Sequence, residues 1–280
     1  MNLNEAKFPF EMYSLTANGI ITKPGFHNNK MEIVEVRRGK VKLQIGAEYV
    51  EATAGDFVYI PENTVFASES VEGEATIRGL IFDSDIIEAN MESYETELLY
   101  MFYVQSENKI NIFDKTHPVY TLISRCMNEA YEEFVSKDVC YMLPIRANIY
   151  LIMSALLRYY CGSKNELDKL VYHNVLRMKP AVDHINRHYF EKLYINDLSD
   201  IIMVSADYFT KMFKDSIGKT PVDYINGKRV NRAMQLLIET SDSMADIAAK
   251  VGFCNANYFH KIFKQYMDIS PLAYRKRAKS

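Results

Sequence analysis

The sequence predicts two domains: an N-terminal antiparallel β domain followed by helices, and an all-α C-terminal domain built on two helix-turn-helix units. Three observations lead there. Short segments of strand-like alternation fill the N-terminal part, helical periodicity takes over from about Pro118, and a stretch of the C-terminal part repeats itself at an offset of 50 residues.

The strands come first. Glu32-Ile33-Val34-Glu35-Val36-Arg37 leads to a turn at Arg38-Gly39-Lys40, after which Val41-Lys42-Leu43-Gln44-Ile45 alternates apolar and polar side chains with a period of two. Gly46-Ala47 and Ala54-Gly55-Asp56 are further turn candidates. Phe57-Val58-Tyr59-Ile60 is a short apolar run stopped by Pro61, and Ala75 to Phe82 reads as one more strand. Short strands with turn signals at this spacing form a small antiparallel barrel or a sandwich. Beyond them Val119, Leu122, Ile123, Cys126, Met127 and Ala130 fall at helical spacing, and so do Ile145, Ile149, Ile152, Met153, Leu156 and Leu157. The polar stretch Gly162-Ser163-Lys164-Asn165-Glu166 is the best linker candidate.

Composition sets the outer bounds. The 280 residues are 48% hydrophobic and 25% charged, ordinary globular material, and no apolar run reaches the ~18 residues needed to span a bilayer. The start, Met1-Asn2-Leu3-Asn4-Glu5, lacks the features of a signal peptide. Cys126, Cys140, Cys161 and Cys254 have neither metal-type nor disulfide-type spacing, so free thiols in the cytoplasm are expected. The net charge of −3 is unevenly spread. Residues 1–170 carry 16 Lys and Arg against 25 Asp and Glu, a net −9, whereas residues 171–280 carry 17 against 11, a net +6. The C-terminal part is the one suited to meet an anion.

The repeat lies in that part. Tyr208-Phe209, Lys211, Phe213-Lys214, Thr220-Pro221 and Tyr224 match Tyr258-Phe259, Lys261, Phe263-Lys264, Ser270-Pro271 and Tyr274. In the first copy a short helix at Leu198–Ile202 leads through Met203-Val204 to a second helix N-capped by Ser205. In the second copy Met244–Val251 leads through Gly252 to a helix N-capped by Asn255. Each second helix has one apolar face, Phe209, Met212, Phe213 and Ile217 in one copy and Phe259, Ile262, Phe263 and Met267 in the other. The opposite faces carry Asp207, Thr210, Lys211 and Lys214, and Ala256, Asn257, His260, Lys261 and Lys264. Asn reads adenine bidentately, Lys reads guanine, and a Thr methyl touches thymine. Residues near the helix N-terminus are placed for base edges and the later lysines for phosphates. Asp207 suits neither role unless it accepts from a cytosine amine.

These residues resemble the DNA-binding domain of the AraC/XylS family of bacterial transcription regulators, most densely in Val251-Gly252-Phe253, Asn257-Tyr258-Phe259, Phe263-Lys264 and Ile269–Arg275. The resemblance implies a rigid connecting helix around Val222–Glu239 that sets the two reading helices about one DNA turn (~34 Å) apart. Asp268 departs from the pattern, standing where the first copy has Gly218; the position is expected to close a helix in a left-handed conformation, which Asp tolerates.

The N-terminal part resembles the cupin-like sensor barrel of many members, through Gly55–Pro61 and the Arg38-Gly39 turn. The family layout then implies an effector-binding and dimerisation domain at 1–161, a linker at 162–172 and a DNA-binding domain at 173–280. Cupin enzymes hold a metal with two clustered histidines, a Glu and a later His. Here only His27 and Glu32 are present, and Phe66 stands where the later His would fall, so no metal, cofactor or catalytic residue is expected. The barrel is read instead as a pocket for a small organic effector, a carbohydrate being favoured by the resemblance, with Arg38, His27, Glu32 and Tyr59 as candidate contacts. The implied partners are promoter DNA, a second copy of the chain through the helices around 118–160, and RNA polymerase.

Overall fold

The computed structural model describes residues 10–27, 29–88, 99, 100, 102, 111–161 and 166–279. The chain forms two compact units, the first chiefly of residues up to 162 and the second chiefly of residues 163–280.

In the first unit seven strands, β1 (Phe10–Gly25), β2 (Lys30–Arg38), β3 (Lys40–Ile45), β4 (Glu48–Thr53), β5 (Phe57–Ile60), β6 (Phe66–Asp83) and β7 (Asn111–Phe113), make a nearly closed antiparallel barrel. Their order is β4-β3-β6-β2-β5-β7, with β1 paired to β6. β2 is central: Glu32 lies opposite Ile60 of β5 on one side and Ile81 of β6 on the other. Because successive side chains point to opposite faces, β2, β5 and β6 present two apolar sets. Met31, Ile33, Phe57, Tyr59, Leu80 and Phe82 pack in one core with Ile123, Met127, Ile149 and Leu156 of the helices. The alternate set, Val34, Val36, Val58, Ile60, Ile77 and Ile81, is also buried and lines the barrel interior.

Two turns show why glycine is required. Gly39 adopts φ +78°, and a Cβ there would sit 2.8 Å from the Glu74 carbonyl oxygen; Gly55 adopts φ +103°. Helix α1 (Asp85–Glu88) follows β6, and α2 (Tyr120–Ser136) and α3 (Met142–Cys161) cover the outer face. A buried ion pair pins α2 to the sheet. Arg78 donates through Nε to Glu35 at 2.8 Å and through Nη2 to Asn128 of α2 at 2.7 Å, and its guanidinium stacks on Tyr131 at 4.8 Å.

The second unit is helical among its described residues from 163 on: α4 (Glu166–His188), α5 (Ile195–Ile201), α6 (Ala206–Ile217), α7 (Pro221–Glu239), α8 (Met244–Lys250), α9 (Ala256–Met267) and α10 (Pro271–Lys279). α5–α6 and α8–α9 are the two helix-turn-helix units, and α7 is the long helix between them. Residues 162–165, most of the polar stretch Gly162–Glu166, lie outside the described residues, and from Glu166 the chain is helix, including the rest of the linker expected at 162–172.

The differences from the sequence reading fall in the barrel. β1 and β4 were not expected because so few of their side chains are buried: only Phe10 and Met12 in β1, only Ala52 in β4. β7 is three residues long, too short to show a period. β6 runs nine residues further toward the N-terminus than the strand expected at Ala75–Phe82, through a polar, mostly exposed stretch around Glu69–Glu74.

Candidate nucleic-acid interface

The two units repeat in structure as they do in sequence. From Ser205 to Thr220 and from Asn255 to Ser270 the pattern of buried and exposed positions is the same residue for residue. Each second helix is anchored by an aromatic chain of matching geometry: Phe209–Phe213–Tyr224 with ring centroids 5.5 and 5.7 Å apart, and Phe259–Phe263–Tyr274 at 5.6 and 5.7 Å.

The helix ends are fixed as the sequence implies. The Ser205 hydroxyl accepts from the Tyr208 amide, and Asn255 Oδ1 from the Tyr258 amide at 2.8 Å. Both side chains are therefore engaged in starting the helices. At the other ends Gly218 (φ +82°) and Asp268 (φ +57°) take the left-handed conformation, each amide donating to the carbonyl of Lys214 or Lys264. Asp268 thus does what the sequence expects of it. The tight turns differ. Gly252 (φ +90°) is forced by space as well as angle, since a Cβ would come within 2.6 Å of the Phe190 backbone. At the matching place in the first unit stands Met203, also left-handed at φ +57° and 90% exposed.

With the apolar faces buried, Asp207, Lys211 and Lys214 project into solvent from α6, and Asn257, Lys261 and Lys264 from α9. Thr210 and His260 are half-buried at equivalent positions, and so is Ala256. The Thr210 hydroxyl donates to the Ala206 carbonyl at 2.9 Å, which commits its polar atom to the helix. Sequence reasoning left out Tyr208 and Tyr258, exposed at equivalent positions beside Asp207 and Asn257; their recurrence at the 50-residue offset was the available signal. It also left out Arg229 of α7, which donates to the Tyr189 carbonyl at 2.7 Å and the Glu191 carbonyl at 2.8 Å and lies over the Phe253 ring at 5.6 Å. That one side chain ties the connector to the end of α4 and to the turn of the second unit.

Of the four candidate effector contacts, Glu32 and His27 adjoin, whereas Tyr59 and Arg38 lie apart from them. Glu32, 1% exposed, faces the barrel interior. Its Oε1 accepts from the Tyr13 hydroxyl at 2.5 Å, and His27 Nε2 lies 3.7 Å from its Oε2. Burial pushes the Glu32 carboxyl up to about 7, against the opposing pull of the Tyr13 hydrogen bond, and burial lowers His27. Tyr59 sits on the opposite face of the sheet, its ring 5.1 Å from that of Phe102, inside the helix-facing core. Arg38 is largely exposed at the strand end and pairs with Glu74 at 3.1 Å. Alternation explains the split: Glu32 and the partner of Tyr59 across the ladder, Ile33, are neighbours in sequence and so point opposite ways. Among the described residues no three His, Cys, Asp or Glu side chains gather as a metal site would require.

Comparison with known proteins covers both units. A helix-turn-helix domain family matches residues 198–277. The chain is 24% identical over 282 residues to the HTH-type transcriptional regulator YdeC of Bacillus subtilis, covering 96% of this chain and 92% of that one. It is 41% identical over 96 residues to the HTH-type regulator YisR of the same organism, covering 34% of this chain and 33% of that one. Among solved structures, ToxT of Vibrio cholerae is similar in fold, with a TM-score of 0.54 at 16% identity over 96% of this chain and 99% of that one. ToxT has also been solved bound to (E)-4-(8-methylnaphthalen-1-yl)but-3-enoic acid and to an unsaturated fatty acid. The C-terminal part of this chain is therefore a helix-turn-helix domain, and with the barrel before it the chain shares the two-domain fold of ToxT.

Proposed function

We propose that this chain is a transcription regulator of the AraC family that reads promoter DNA with α6 and α9 and that a small molecule held by its barrel changes how well it does so, the protein acting by binding rather than by catalysis. The observation that carries the reading is the duplicated surface: two helices with the same exposed positions, each bearing two lysines, in the only basic part of an acidic chain. The second unit is the more discriminating reader. Asn257, His260 and Lys261 on α9 offer base-edge chemistry, while Asp207 on α6 faces phosphates with the wrong sign. Ala256 allows close approach at the helix start, and the Thr210 methyl offers an apolar contact. Ser205 and Asn255 contribute by setting the helix N-termini, whose free amides favour a phosphate.

The DNA-binding domain is taken to start at about 173 and the effector-binding domain to end at about 161. A carbohydrate effector, homodimerisation through the outer faces of α2 and α3, a contact with RNA polymerase and a cytoplasmic location complete the proposal. The stripe Ile145–Leu156 is spent on the barrel core, so a dimer contact would use the exposed Leu143, Tyr150 and Leu151 of α3. No described helix is long and apolar enough to cross a membrane.

Three substitutions test the reading surface. Asn257→Ala and Lys261→Ala should each cost about 1–3 kcal/mol on a selected site and relax its sequence preference. Lys264→Ala should weaken all sequences about equally and lower the salt slope by roughly one. Titration of labelled duplexes at several salt concentrations separates the two behaviours. Parental affinity in all three variants would remove the assignment.

A further inference from the structure

Two glutamates on β2 are buried, and the fold treats them differently. Glu35 receives Arg78, whose guanidinium is itself held by Asn128 and Tyr131. Glu32, three residues earlier and on the other face, has no cation in hydrogen-bond reach among the described residues. Its neighbours across the ladder are Ile60 and Ile81, both buried. Its Oε1 accepts from the Tyr13 hydroxyl, and its Oε2 is buried with no hydrogen-bond partner among the described residues. His27 Nε2, 3.7 Å away, is beyond hydrogen-bond distance. The arrangement is also guarded: any side chain at position 79 would collide with the Tyr13 ring, so Gly79 keeps the hydroxyl over the carboxyl.

An unmatched carboxyl oxygen in an apolar interior costs free energy that the fold shows elsewhere it can avoid. It is the complement of a donor, and a cationic donor gains most, since charge-assisted hydrogen bonds are the strong ones and the group it would meet is otherwise unneutralised. The imidazole of His27 is 41% exposed, so the cluster reaches solvent on that side, and burial lowers the ring's pKa, which disfavours a competing cation.

We propose that Glu32 is the anchor of the effector site and takes the ammonium of an amine-bearing ligand, with Tyr13 orienting the carboxylate and His27 lying at the solvent side. This rests on the reading of the barrel as an effector domain. It narrows that reading, because an amino sugar meets the demand and a carboxylic acid, of the kind bound by ToxT, sets two acidic groups against each other.

The test uses the full chain with hexylammonium, glucosamine, glucose and hexanoate as probes at equal millimolar concentration, followed by thermal unfolding and by calorimetric titration. Hexylammonium and glucosamine should raise the melting temperature and the other two should not. Ammonium binding should weaken about tenfold per pH unit as the carboxyl protonates below about 7. Glu32→Gln should abolish the effect, and Tyr13→Phe should weaken it several-fold at pH 7 while leaving the fold intact, which serves should Glu32→Gln not fold. Absence of any effect of the amines, an equal effect on Glu32→Gln, or stabilisation by hexanoate would overturn the proposal. Glu32-dependent stabilisation by glucose alone would replace the amine with a neutral polyol. Promoter binding by the parent chain, measured without probe, tests the DNA-binding reading separately, so failure here is distinct from failure of that reading.

Discussion

Single residues carry the tension in this molecule, and the sequence reveals some of them and hides others. Asp268 could be read as a left-handed helix stop because its repeat partner is Gly218. Met203 could not, since nothing in a methionine announces a positive φ; the comparison with Gly252 becomes visible only once the turns are superposed. A side chain in that conformation is strained, and Met203 touches little at 90% exposure. Met203→Gly should therefore raise the unfolding free energy by roughly 0.5–1 kcal/mol, net of the flexibility gained by the unfolded chain, as read from a urea midpoint. Glu32 was legible as a candidate, but its partner Tyr13 lay on a strand that the sequence does not announce. Its folded-state pKa, about 7, lies above the ordinary 4.5, so the native state holds the proton more tightly than the unfolded chain. Its contribution to stability is full below about pH 4.5 and is lost as pH rises through about 7, a change on the order of 3 kcal/mol. Glu32→Gln should flatten that decline between pH 4 and 8 (~4 units spanning both values); an unaltered pH profile would contradict the burial argument.

At the scale of elements, what could be read depended on burial. The helices of the second unit announced themselves because each has a clean apolar stripe, a capping residue and a stop. The central strands did so because β2, β5 and the second half of β6 are apolar. β1 and β4 did not, because a barrel strand whose outer face meets water and whose ends carry polar residues has no period to find. The attachment of α2 to the sheet was equally hidden, since Glu35, Arg78 and Asn128 are far apart in sequence and each looks like a surface residue. Arg78→Met should leave the buried Glu35 carboxylate with only the half-exposed Arg37 as cation partner, 2.9 Å away, and cost up to about 3–5 kcal/mol, whereas Arg78→Met with Glu35→Leu should recover most of the loss. Chemical denaturation of the parent and the two variants checks this. A double variant no more stable than the single would mean that the ion pair is worth more than the packing that replaces it.

At the scale of the whole molecule, charge division and internal repetition were the informative signals, and both are properties of the sequence alone. A net −9 over residues 1–170 and +6 over residues 171–280 sets the part proposed to meet DNA apart from the rest. The 50-residue repeat becomes two equivalent helices joined by α7, whose 19 residues span about 28 Å at 1.5 Å per residue. Effector chemistry was not legible at this scale, because alternation sends Glu32 and Tyr59 to opposite faces and leaves Arg38 outside both. The central claim is that two linked helices read DNA unequally. Selection of binding sites from random duplexes by the full chain, followed by footprinting, tests it most directly. Two elements about one helical turn (10–10.5 bp) apart on one face are expected, the stronger losing definition in Lys261→Ala. Selection of no sequence, or of a single element that Lys261→Ala leaves intact, would contradict it.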